Sequence, residues 1–340
     1  MLRAVFLLLA LLFENAQAAT AQAPIRAHTF TNPLRANGPD PWVIRHGDYY
    51  YCANTMGTNL TLWKSKTLEG IKDAAGVKVW TPPATEPNSG GIWAPELHFL
   101  DGKWYLYYTA TDRAHFADST RYVFVLENAN PGPTVGVWVD KGKLNTRYAG
   151  LDGSVFALGG RRYFLYSSDV GPQSVLAIAP QTNPWTLDTA KETIIDRPTP
   201  AWEKGGGQQI LEDPEFLAGK KGQLFVVYSA SACWDDNYSL GLLMARPGAD
   251  PLRASAWVKS LESVLHPSAA HGVWGTGHNG FTTSPDGHES WIIYHARAAA
   301  DGKCEDRSSR AQRFGWRADG APDFSVPAAL ATPIAVPSGE

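Results

Sequence analysis

A chain of 340 residues that is 44% hydrophobic and 19% charged has a globular composition, with room for one large or two ordinary domains and for a sizeable core. Its formal net charge of -3 presents no cationic face to a polyanion, and the densest basic cluster, Arg307 to Arg317, is interleaved with Ser, Gln and aromatic residues. Nucleic acid is therefore excluded as a partner.

The chain opens with a charged start, Met1-Leu2-Arg3, an apolar run to Phe13 and the small-residue site Ala16-Gln17-Ala18. Residues 1–18 thus read as a secretory signal. A membrane anchor is the weaker reading, because the run falls short of the ~20 residues a span needs, and no later stretch comes close. The expectation is a secreted or periplasmic protein with no membrane association after cleavage, beginning with a short disordered segment at 19–26.

From there one phrase recurs five times: a turn, then four residues dominated by aromatic and β-branched types. The copies are Tyr49-Tyr50-Tyr51-Cys52, Tyr105-Leu106-Tyr107-Tyr108, Tyr163-Phe164-Leu165-Tyr166, Phe225-Val226-Val227-Tyr228 and Trp291-Ile292-Ile293-Tyr294, with successive starts 56, 58, 62 and 66 residues apart. Turn signals precede each, among them Gly47-Asp48, Asp101-Gly102 and Asp286-Gly287. Strand repeats of this period predict an all-β, five-bladed β-propeller over residues 27–330, with a C-terminal tail at 331–340. An irregular sandwich would not space its hairpins so evenly. The ends His28–Phe30 and Phe324–Pro327 are expected to pair in the last blade, since an open ring would expose sheet edges.

About nine to thirteen residues ahead of each phrase lies a polar residue in a constrained setting, on what would be the innermost strand of that blade. These are Asp40 in Gly38-Pro39-Asp40-Pro41-Trp42, Glu96 in Trp93-Ala94-Pro95-Glu96, Asp152 in Leu151-Asp152-Gly153-Ser154, Glu212 in Leu211-Glu212-Asp213-Pro214, and His278 in Gly277-His278-Asn279-Gly280. Five in phase with the repeat predict a polar axis. Carboxylates crowded in a confined cleft drive at least one pKa upward, so that one acid holds a proton while another stays ionised. That pair suits glycosidic bond hydrolysis. Trp42, Trp93, Trp234 and Trp274 lie beside these positions, where flat rings could stack on a sugar or form core. Direct metal catalysis by Asp40, Asp152, Glu212 and His278 stays open, as does a non-hydrolytic carbohydrate-binding propeller. Of the three cysteines, Cys52 reads as a buried free thiol, while Cys233 and Cys304 sit in polar loops and could pair in an exported protein.

These residues resemble glycoside hydrolase family 43, five-bladed propeller enzymes acting on arabinose- and xylose-containing polysaccharides. The resemblance spans nearly the whole mature chain. Its most specific parts are Asp40-Pro41 after Asn32-Pro33, Trp93-Ala94-Pro95-Glu96, Asp152-Gly153-Ser154 and Gly275 to Phe281 with Ser284-Pro285-Asp286-Gly287. It implies an inverting mechanism with Asp40 as general base, Asp152 tuning the proton donor and Glu212 as general acid, the carboxyls of base and acid standing roughly 6.5–9.5 Å apart. It implies too that His278 helps hold a hydrated axial calcium ion, structural or electrostatic, or a water cluster, with no organic cofactor. The family usually has a small residue after the general acid. Here Asp213 follows, and strand alternation predicts that it points away, leaving Glu215 as a rival acid. Arg310 is expected to reach sugar hydroxyls or neutralise an axial carboxylate. Trp42, Trp93, Glu96 and Trp274 are expected substrate contacts, and Asp112, Asp169 and His271 are further loop candidates. The Gly275 to Phe281 segment and the Arg307 to Gln312 run look most like single-domain α-L-arabinofuranosidases acting on arabinan or arabinoxylan side chains; β-xylosidase and endo-arabinanase are the alternatives.

Overall fold

The computed structural model describes residues 28–340; the secretory signal at 1–18 and the disordered segment expected at 19–26 lie outside the described residues. Five antiparallel sheets follow one another in chain order. Blade 1 consists of Trp42–His46, Tyr49–Ala53, Leu60–Ser65 and Gly76–Trp80, and blade 2 of Gly90–Leu100, Lys103–Thr111, Tyr122–Asn128 and Val139–Lys143. Blade 3 consists of Gly150–Leu158, Arg161–Val170, Gln173–Asn183 and Thr186–Leu187, with Thr193–Asp196 added against Gln173–Asn183. Blade 4 is Leu211–Ala218, Leu224–Ala230, Ser239–Ala245 and Val258–Lys259; blade 5 is Trp274–Thr283, Ser290–Arg297, Ser308–Trp316 and Pro322–Asp323. Each recurring phrase is the second strand of its blade. The first strands touch one another in cyclic order, the fifth returning to the first, so they surround the axis of a five-bladed propeller.

Burial explains why the second strands are rich in aromatic and β-branched residues: both their faces pack against neighbouring blades. The apolar core is divided into five clusters, one at each blade interface. Trp104 fills the interface of blades 1 and 2, and Trp291 that of blades 5 and 1, both fully buried. Truncating such a Trp costs about 3–5 kcal/mol, so each interface is a substantial part of the stability. With the apolar groups taken up between blades, the axis is left to polar side chains.

The ring closes differently from the expected pairing. Thr29–Phe30 pairs with Ile334–Ala335, from the segment assigned to a tail, and Phe324 is instead buried in the core between blades 4 and 5. The N-terminal segment also runs along blade 5: the Leu34 amide donates to the Ser309 carbonyl at 2.8 Å, and Asn32 exchanges hydrogen bonds with the backbone of Ala311. Cys233 and Cys304 form a disulfide with Cα atoms 5.3 Å apart, joining the loops that follow the second strands of blades 4 and 5. Cys52 is free and buried, and burial pushes its thiol up to about 12.

Candidate active site

The inner strands carry one repeated irregularity. In blade 2 Trp93 pairs with Thr109 and Glu96 with Tyr107, so three residues advance on the inner strand while two advance on its partner. The same bulge separates Leu151 from Ser154, Glu212 from Glu215, and Gly277 from Gly280. Within each bulge one residue has left-handed backbone: Ala94 (φ 44°), Asp152 (53°), Asp213 (51°) and His278 (49°), with Asp40 (50°) in the corresponding place at the head of blade 1. Asp and His tolerate this region better than most residues. The set in phase with the repeat is therefore Asp40, Ala94, Asp152, Asp213 and His278. Glu212 stands one residue before its left-handed neighbour and Glu96 two residues after.

Strand alternation breaks down at a bulge, and Asp213 shows it. Its carboxylate does not point away; it is buried on the axis, with Oδ1 3.2 Å from His278 Nε2 and Oδ2 accepting from the Asn279 amide. His278 Nδ1 lies 3.3 Å from Asp40 Oδ1. Burial holds the imidazole below its ordinary pKa against the pull of Asp40, and burial with the charges of Asp152 and Glu96 pushes Asp213 well above the carboxylate range. A protonated Asp213 donating to Nε2, with Nδ1–H donating to an ionised Asp40, satisfies all three groups.

Asp40 is the ionised member. Burial alone would raise its pKa, but Arg307, His278 and His295 together more than offset that and hold it well below the usual range. Arg307 Nη1 donates to Oδ1 at 2.7 Å, and Thr55 donates to Oδ2 at 2.6 Å while accepting from the Ala94 amide at 2.7 Å. His295 stacks between His278 and Tyr238, and burial holds it neutral with a pKa of about 3.

Glu212 is displaced the other way. Burial, with Asp40 and Asp169 adding, raises its pKa to about 7, although Tyr238 lowers it by donating to Oε1 at 2.5 Å. The Tyr238 ring is fully buried and lies against Gly277, where a Cβ would come within 2.0 Å of Cε1. Asp152 is pushed well above the usual range by burial and by the charges of Glu212 and Asp40. Asp152 Oδ2 accepts from the Asp213 amide at 3.2 Å, which ties blade 3 to blade 4.

Glu96 and Glu215, each two residues beyond a left-handed position, form a second tier next to Asp213. Carboxylate oxygens of Glu96, Asp213 and Glu215 fall within 4.8 Å of one another, as do ligand atoms of Asp40, His278 and His295. Glu96 Oε2 meets His98 Nε2 at 2.8 Å, Ser154 donates to Glu215 Oε2 at 3.1 Å, and Glu215 Oε1 is buried with no protein partner. Both ring nitrogens of His278 face carboxylates, so the oxygen-only set is the better match to a hard cation.

Two expected substrate contacts lie elsewhere. Arg310 is fully buried and donates to the carbonyl of Arg297 at 3.0 Å; Arg307, three residues earlier, is the one that neutralises the axial carboxylate. Trp42 donates to the Leu97 carbonyl at 2.9 Å, meets His98 at a tilt with ring centroids 4.9 Å apart and has Gly280 against its ring, so it packs, partly buried, against the core between blades 1 and 2. Trp93 is half-buried, with the Arg121 guanidinium 3.7 Å over its ring and Phe116 edge-on. Trp274 is half-buried at the start of its strand, and Trp234 is half-exposed with its indole N–H on the Gly206 carbonyl. Asp112 caps a short exposed turn and His271 bonds the Pro327 carbonyl at 2.7 Å, whereas Asp169 is felt electrostatically by Glu212. Sequence reasoning missed Arg307, Tyr238, His295 and Thr55. Only Arg307, inside the Arg307 to Arg310 run, left a visible trace.

A family model described as glycosyl hydrolases family 43 matches residues 30–322. The chain is 36% identical to an extracellular exo-α-(1→5)-L-arabinofuranosidase of Streptomyces avermitilis, over 96% of this chain and 69% of the relative. It is 35% identical to α-L-arabinofuranosidase 43 of Humicola insolens, covering 88% of this chain and 64% of the relative, so it spans about two thirds of the length of these two proteins. The crystal structure of an α-L-arabinofuranosidase from Lactobacillus brevis superimposes with a TM-score of 0.83 at 31% identity, over 89% of this chain and 98% of that one.

Proposed function

The chain belongs to glycosyl hydrolases family 43, and we propose that within it the protein is an inverting, exo-acting hydrolase that releases terminal α-L-arabinofuranose from arabinan or arabinoxylan side chains. The observation that carries the reading is the opposite displacement of two axial acids, Asp40 well below the carboxylate range and Glu212 up to about 7. In this reading Glu212 gives its proton to the glycosidic oxygen as the bond to the anomeric carbon breaks. Asp40 takes a proton from the water that attacks the opposite face, and the free sugar leaves with inverted configuration. Asp152 is assigned the tuning of the proton donor, since it lies close enough for the Glu212 charge to raise its own carboxyl. Trp93 supplies a ring at the cleft mouth, and Arg307, rather than Arg310, holds the base ionised. Export to the extracellular side is supported by the signal-like residues 1–18 and by the extracellular relative; no helix among the described residues is long and apolar enough to cross a membrane.

A calcium ion fits the carboxylates of Glu96, Asp213 and Glu215, whose donors are all oxygen and include the unpartnered Glu215 Oε1. When bound, it would supply positive charge that relieves their mutual repulsion.

The test is hydrolysis of aryl α-L-arabinofuranoside and aryl β-D-xylopyranoside by the mature protein, with Asp40→Ala as blank. Arabinoside turnover lost by several orders of magnitude in the variant is the expected result. A preference for the xyloside would reassign the substrate, and undiminished turnover in Asp40→Ala would remove Asp40 from the mechanism.

A further inference from the structure

Outside the axis, a depression of about 900 Å³ lies beside blades 1 and 2 and has no part in the mechanism above. Its size lies within the roughly 300–1,000 Å³ range of small-molecule sites. We propose that it is a second carbohydrate-binding site, which holds the arabinose-containing polysaccharide at a distance from the bond being cut. This rests on the arabinofuranosidase reading above.

Its chemistry suits a neutral polyol. Trp80, half-buried and packed on Tyr108 at 5.0 Å, offers an apolar ring to the C–H face of a sugar, with Pro83 and Pro87 alongside. Asn88 is buried at the floor, and its amide nitrogen donates to Tyr108 Oη and to Asp140 Oδ2, both at 2.9 Å. With that nitrogen committed, the Asn88 carbonyl oxygen and the exposed Asp140 carboxylate are acceptors for sugar hydroxyls. Glu86, Asp112 and Asp140 outnumber the one cation of the lining, Lys143, which disfavours uronates, phosphates and other anions.

Its place in the fold ties it to the axial cleft. Asn88 stands five residues before Trp93 on the segment that enters the innermost strand of blade 2, an extended reach of at most about 17 Å. The stretch from Asp112 to Tyr122 forms a shared wall. Asp112, Ser119, Thr120 and Tyr122 line the depression, while Phe116 and Arg121 pack on Trp93. A polymer with its end residue at the axis and its chain leaving across this wall would meet Trp80.

The test separates polymer from small substrate. Trp80→Ala removes the ring, and Ser119→Arg, at an exposed position on the lining, fills the depression without touching the core. In variants that melt cooperatively near wild type, the expected result is a KM on linear arabinan raised about five- to tenfold, with kcat unchanged. Parameters on the aryl arabinofuranoside should stay within about twofold. Equal loss on both substrates would assign the residues to the axial site, and no change on either would empty the proposal. Affinity electrophoresis of Asp40→Ala protein through arabinan gels reads binding without turnover. Retardation by arabinan, weakened by Ser119→Arg and absent with a neutral glucan, supports the site even if the aryl arabinoside is not a substrate. Equal retardation by the glucan, or none by arabinan, overturns it.

Discussion

At the scale of single residues, two contacts set the two ends of the pH profile. Arg307 stabilises the ionised form of Asp40, so Asp40 contributes activity above its depressed pKa and loses it as pH falls through that value. Arg307→Met removes this charge; the acid limb should move upward and kcat fall by about 10²-fold or more. An acid limb that stays in place would detach Arg307 from the base. Tyr238 acts on the opposite limb, and it too lowers the pKa of its partner. Glu212 must be protonated to act, so activity declines as pH rises through about 7, and the hydroxyl of Tyr238 favours the ionised form. Tyr238→Phe should therefore shift the basic limb upward while lowering kcat. A lowered rate with an unmoved basic limb would make Tyr238 a packing residue only. Asp40 and Glu212 were legible because proline and glycine punctuation marks the inner strands. Arg307 was not separable from Arg310, since the direction of a side chain depends on the register of blade 5 against the first strand of blade 1.

At the scale of elements, the bulges and the disulfide decide where these side chains stand. A bulge inserts one residue and re-aims its neighbours, which is how Glu212 and Asp213, adjacent in sequence, both serve the axis, one meeting Tyr238 and the other His278. Alternation of period two predicts the opposite, and no residue type in Leu211-Glu212-Asp213-Pro214 announces the bulge. The Cys233–Cys304 bridge lies between the loops that lead to Tyr238 and to Arg307, and Arg307 Nε donates to the Cys304 carbonyl. The bridge closes a chain separation of 71 residues, for which loop entropy alone is about 4 kcal/mol. Cys304→Ser, or reduction with dithiothreitol, should lower the melting temperature and also kcat, with the acid limb moving as in Arg307→Met. Lowered stability with an intact pH profile would show that Arg307 is held by other contacts.

At the scale of the whole molecule, five apolar interfaces hold a ring whose axis is crowded with carboxylates. Calcium at Glu96, Asp213 and Glu215 would bind the native state alone and raise the melting temperature by mass action. Calcium added to chelator-treated protein is expected to restore a lost transition by several degrees, with little effect when Glu215 is replaced by Gln. A melting curve indifferent to both chelator and calcium would leave the tier to water and protons. Ring closure lies at this scale as well, since the pairing of Thr29–Phe30 with Ile334–Ala335 joins segments some 300 residues apart. By itself the sequence determined the strands, their grouping in five and the polar character of the axis, because turn chemistry and aromatic runs act within a few residues and repeat in phase. Only the tertiary structure decided which of two adjacent carboxylates faces which partner, which arginine meets Asp40, that Trp42 packs against the blade 1–2 core, and how the ring is closed. Each of those depends on distances between blades, which packing sets and no local pattern encodes.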